Sequence, residues 1–142
     1  MRISIENGKL YDPSKKLDSK QDLFIADGKI VGFKKKPEGF KSDIRIDARG
    51  KIIIPGLVDL CARLREPGFE KKGTFKSELN AANSNGITSI CMPPDTAPIV
   101  DTPAVVEFIH QRARETNRAN IYPLGALTQE LKGEQLAEMY LL

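Results

Sequence analysis

Beyond Pro55 the chain runs three times through one order: a short apolar run, a polar loop, then a stretch with helical spacing. Leu57–Leu64 reads as a strand, and Arg65–Gly73 as a loop broken by Pro67 and Gly68. Thr74 is placed to cap a helix running to about Asn85, with Gly86 as its stop. Ile87–Met92 (ITSICM) has the length and apolar content of a buried parallel strand. After the loop PPDTAPIVD, Thr102-Pro103 opens a second helix, whose Val105, Val106, Ile109 and Ala113 fall on one face. Asn120–Leu127 reads as a third strand, and Gly133–Leu142 as the start of a third helix. This alternation predicts an α/β fold built on a parallel sheet.

The first third has a different rhythm. Arg2–Ile5, Lys9–Tyr11, Asp22–Ala26, Lys29–Phe33 and Ile44–Asp47 alternate like strands, separated by turn signals such as Asn7-Gly8 and Asp27-Gly28. Four or five short strands with polar turns predict a small β-sandwich portion over 1–54. The α/β part then occupies 55–142. Three strand–helix units are too few for a closed eight-stranded barrel, which takes about 250 residues. Two sheet edges and an apolar face would stay uncovered. The expectation is therefore a truncated portion of a longer protein, the alternative being self-association or pairing with a partner.

Composition narrows the class. Of the 142 residues, 40% are hydrophobic and 29% charged, as in a folded globular domain. The 22 basic and 19 acidic residues nearly balance, so no nucleic-acid partner is expected; the runs Lys34–Lys36 and Lys71-Lys72 read as solvated turns. No apolar stretch approaches the ~20 residues of a membrane helix, so no membrane association is expected. Two cysteines and an N-terminus without the apolar segment of an export signal point to reduced thiols in the cytoplasm.

Six segments carry a family resemblance. The order NGKLYDP, DLFIADGKIVGF, IDARGKIIIPGLVDL resembles the start of the amidohydrolase superfamily. Within it, LREPGFEKKGTF, MPPDTAPIVDTP and YPLGALTQELKGEQLAEM resemble dihydroorotases of the multifunctional-complex type. The resemblance implies a small β-sandwich joined to a TIM-like (β/α)8 barrel, here its first three βα units. It also implies zinc-assisted opening or closing of the dihydroorotate ring in pyrimidine synthesis.

At the first barrel strand that family carries Asp-x-His-x-His. Here Asp59 matches the Asp, but Cys61 and Arg63 stand where the histidines would be. Residues i and i+2 of a strand face the same side, so the spacing suits a ligand pair. Cys61 could ligate as a thiolate, whereas Arg63 stays protonated and has no lone pair to give. Arg65 matches the arginine that binds the substrate carboxylate, a task its planar fork suits. The family's Pro-Asn-Thr loop reads Pro94-Asp95-Thr96, leaving Asp95 as a second candidate for substrate contact. If the pocket is inactive, Arg65 would instead pair with Glu66, Glu70 or Asp59, and Asp95 would serve a rigid strand-to-helix connection. His110, the single histidine, falls on the second helix as a surface residue. Cys61 lacks the neighbouring base a nucleophile needs, so it and Cys91 read as two reduced core thiols.

These residues yield two principal expectations. In the first, the protein is a dihydroorotase-like scaffold without catalytic residues or a bound cofactor, supporting aspartate transcarbamoylase or associating with itself. In the second, a working cyclic-amide hydrolase uses a rearranged metal site that includes Cys61. A third, weaker expectation is a sensor that holds a carboxylate such as dihydroorotate on Arg65 without reacting it.

Overall fold

At Asp27-Gly28 both residues adopt positive φ (49° and 73°), the type I′ geometry that matches the twist of a two-residue hairpin. In the computed structural model, which describes residues 1–140, this turn joins β4 (Leu23–Ala26) to β5 (Lys29–Phe33). The preceding strands are β1 (Arg2–Glu6), β2 (Lys9–Asp12) and β3 (Leu17–Lys20); β6 (Ile44–Asp47) and β7 (Ile52–Ile53) follow. They form two sheets, ordered β5-β4-β1-β6 and β3-β2-β7. β3 and β7 were not expected from the sequence. Leu17–Lys20 (LDSK) holds one apolar residue, so its strand is set by antiparallel pairing with β2 rather than by its own pattern. Leu10, Leu23, Phe24, Phe40 and Ala48 are buried in this part, with Phe24 and Phe40 edge-to-face at 5.4 Å.

The chain divides into two compact units, Met1–Pro55 and Gly56–Leu142. In the second, β8 (Leu57–Asp59), α1 (Phe75–Ser84), β9 (Ile87–Met92), α2 (Pro103–Thr116) and β10 (Asn120–Pro123) alternate. The three strands are parallel in the order β10-β9-β8. Ile90 and Met92 of β9 and Ile121 of β10 bury one sheet face against Phe75 and Leu79 of α1 and Val105, Ile109 and Ala113 of α2. Each fully buried aliphatic or aromatic side chain here removes enough apolar area to contribute roughly 1.5–3 kcal/mol. Val58 and Tyr122 pair in register with Ser89 and Cys91, alternate to Ile90, and are more than half exposed. The opposite face is thus open. Among the described residues no helix is long and apolar enough to cross a membrane.

Thr74 caps α1 as expected and does so reciprocally. Its hydroxyl accepts from the Ser77 N–H, while the Ser77 hydroxyl accepts from the Thr74 N–H. Thr102 occupies the cap position of α2 but makes no side-chain capping bond, so Pro103 alone marks that start.

Three expected elements differ. The first strand stops at Asp59 instead of reaching Leu64, because the Cys61 N–H turns back to Asp59 Oδ1 at 2.9 Å. The third strand ends at Pro123, although the Leu124 N–H still reaches the Met92 carbonyl. Gly133–Tyr140 is not helical, and the rest of that expected helix lies outside the described residues. Positive φ at Glu130, Leu131 and Gly133 breaks the backbone there, and the Glu130 N–H is held by Asp101. Leu136, Met139 and Tyr140 are exposed, so no apolar stripe seats a helix on the core.

Candidate functional site

The end of β8 and the loop after β9 meet at one corner of the second unit. After the Asp59–Cys61 turn, the Ala62 N–H donates to the Cys91 carbonyl at 3.1 Å and brings the chain back beside β9. Cys61 and Arg63 therefore leave a bent, non-strand segment, not one side of a strand. Cys61 is exposed and Cys91 half-buried, which corrects the expectation of two core thiols for Cys61.

The loop Pro93–Val100 is stiffened from within. The Thr96 and Val100 N–H groups both donate to the Pro94 carbonyl, and the Thr96 hydroxyl donates to Pro98 O at 2.7 Å. The Ala97 N–H bonds Pro67 O, tying this loop to the one after β8. Their contact is close: Gly68 has φ 96°, and a β-carbon there would lie 2.3 Å from the Ala97 carbonyl oxygen. Only glycine fits both demands.

Across this junction Arg63 Nε donates to Asp95 Oδ2 at 2.6 Å. That hydrogen bond, with the attraction between the charges, holds the Arg63 guanidinium protonated even more firmly than usual. Asp95 thus sits in a stiff connection and is also the ionic partner of Arg63. Arg65 lies two residues on, exposed, at φ 68°. The pairings expected for Arg65 with Glu66, Glu70 or Asp59 do not form; among the described residues it makes no ion pair. Asp59 serves the Cys61 turn. Glu70 accepts from the Gly68 N–H at 2.8 Å, a bond that lowers its carboxyl below the ordinary range.

Glu66 has a part that the sequence did not suggest. Its carboxylate is buried, taking the Phe75 N–H at 2.7 Å on one oxygen and Arg112 Nε at 3.0 Å on the other. It therefore fixes the Arg65 loop to the first turn of α1 and to α2. Arg112 lies 46 positions away, and no local pattern marks it as the partner. Its guanidinium is shifted further toward the charged form, chiefly by the bond to Glu66.

A divalent metal does not fit the residues at this corner. Arg63 offers no lone pair, and its neighbour Asp95 is committed to it. Among the described residues no three His, Cys, Asp or Glu side chains are arranged to hold an ion. His110, half-buried on α2, lines an open pocket with Thr88, Arg114 and Tyr122 and not the strand-tip corner.

Comparison with known proteins bears on this geometry. Residues 50–142 match the dihydro-orotase-like family. A dihydroorotase-like protein of Pseudomonas aeruginosa is 49% identical over 139 residues, covering 98% of this chain and 33% of that protein. A dihydroorotase of Solibacter usitatus is 41% identical over 137 residues, or 96% of this chain and 32% of that protein. The chain thus spans about a third of the length of the curated relatives it matches. Among solved structures, the L-hydantoinase (dihydropyrimidinase) of Arthrobacter aurescens superposes with a TM-score of 0.78 at 22% identity, over 89% of this chain and 28% of that one. A D-hydantoinase gives 0.71 at 25% identity, over 92% and 29%. Over the part they share, the fold is that of these hydantoinases, and the family model spans well over half of the residues: the chain belongs to the dihydro-orotase-like family.

Proposed function

We propose that this chain is part of a dihydroorotase-like protein of pyrimidine synthesis that has given up metal-assisted hydrolysis and acts as a scaffold, supporting aspartate transcarbamoylase or associating with itself. In this reading residues 1–54 contribute to a β-sandwich, and 55–142 form the first units of a (β/α)8 barrel in the cytoplasm. The supporting observation is the Arg63–Asp95 ion pair. A fixed cation at the tip of the first barrel strand would repel a dication a few ångströms away, and it fills a position that must donate electrons to the metal. Arg65 and Asp95 then remain as the residues with which a carboxylate ligand such as dihydroorotate would interact.

The exposed thiol of Cys61, beside Asp59, favours one competing reading: a cyclic-amide hydrolase with a rearranged metal site. Dihydroorotate hydrolysis by the purified protein with added zinc separates the two. The scaffold reading predicts no turnover above the uncatalysed rate. Turnover that Arg63→Ala abolishes would contradict it.

A further inference from the structure

The register of β8 against β9 brings two cysteines side by side. In this parallel pair the N–H of a residue bonds the carbonyl just before its partner: Leu57 pairs with Ile87, and its N–H donates to Gly86 O at 2.9 Å. By the same rule the Ala62 N–H bond to Cys91 O sets Ala62 opposite Met92, and hence Cys61 opposite Cys91. Asp59 pairs with Ile90, so Leu60 is the one extra residue, taken up in the turn of Asp59 onto the Cys61 N–H. Both cysteines also belong to one face. Ile90 and Met92, each 1% exposed, point into the core against the helices, which turns Cys91 between them to the open face. Ala62 packs on that same core, and Cys61 before it is exposed. Neighbouring strands lie about 4.8 Å apart, inside the Cα separation of roughly 4.4–6.8 Å that a disulfide spans.

From this pairing we propose that Cys61 and Cys91 are a reversible dithiol–disulfide pair that fastens the tip of β8 to β9. The exposed Cys61 reacts first. Its thiolate attacks a small disulfide such as oxidised glutathione, the S–S bond breaks, and one glutathione leaves as its thiol with the proton Cys61 gave up. The half-buried Cys91 thiolate then attacks the Cys61 sulfur of the mixed disulfide and releases the second glutathione. In sum the two protein thiols lose two protons and two electrons, and the small disulfide becomes two thiols. Closure encloses the Arg65 loop and α1 in a covalent ring. The inference goes beyond the scaffold reading and concerns the two thiols alone, so chelator-treated protein tests it separately from any question of metal binding.

The experiment incubates that protein with oxidised glutathione, alkylates the remaining thiols and maps the peptides by mass. The expected product is a link between the Cys61 and Cys91 peptides, with the protein two hydrogens lighter and the change reversed by dithiothreitol. The bridged form should melt about 10 °C above the reduced one, because the crosslink closes a ring of about 30 residues in the unfolded chain. Cys91→Ser should stop at a glutathione adduct on Cys61, and Cys91→Ala should do the same if the serine disturbs folding. Native protein that stays reduced, stops at the adduct, or links Cys61 between two chains overturns the proposal.

Discussion

Two arginine–carboxylate pairs begin within three residues of each other in the loop after β8, and they differ mainly in their surroundings. Arg63–Asp95 joins side chains that are 53% and 42% exposed. In Glu66–Arg112 the carboxylate is only 4% exposed and also holds the first amide of α1. Solvent screens the first pair, so it adds little to folding and mostly sets the charge of the corner. The second pair sits where a lone carboxylate would be badly solvated, so it locks the loop to both helices. One loop thus separates the residues that give the corner its shape from those that give it its charge.

Breaking the buried pair should have the largest effect. Glu66→Ala removes the acceptor for the Phe75 N–H and the partner of Arg112, and should lower stability by about 3 kcal/mol in thermal or urea unfolding. Gly68→Ala comes next, at about 2 kcal/mol, because the new β-carbon meets the Ala97 carbonyl and the backbone stays at positive φ. Glu70 gives a smaller effect with a defined sign. Its carboxyl titrates below its ordinary value in the folded chain, so its contribution is complete above that ordinary value and is lost as the pH falls through the lowered one. Melting temperatures followed from neutral to acidic pH should fall less steeply in Glu70→Gln. Arg63→Ala completes the comparison: its unfolding curve should overlay that of the native protein while the charge at the corner changes.

Much of the fold was legible because it follows from local chemistry. The Asp27-Gly28 turn, the Thr74 cap, Pro103 at the start of α2 and the apolar stripe of Val105, Ile109 and Ala113 each state their own geometry. β3 was hidden because its pairing partner, not its composition, makes it a strand. The shortened β8 was hidden for a related reason: whether Asp59 turns onto the Cys61 amide is decided between neighbours that an alternating pattern also accommodates. The expected third helix failed because helix-forming residues without a buried stripe have nothing to pack against. At the site, Arg63 could be read directly as unable to ligate a metal, and Cys61 as a thiolate that could. The pairing of Arg63 with Asp95, and of Glu66 with Arg112, joins residues 32 and 46 positions apart, and only the folded chain shows which carboxylate goes with which cation.

The claim on which the rest depends is that the Arg63 cation excludes a metal from the strand tip. The most direct measurement is elemental analysis of the purified protein after zinc loading and exhaustive dialysis, alongside Arg63→His. The native protein should retain far less than one zinc per chain. About one zinc per chain in the native protein, lost when Cys61 is changed to serine, would contradict the account.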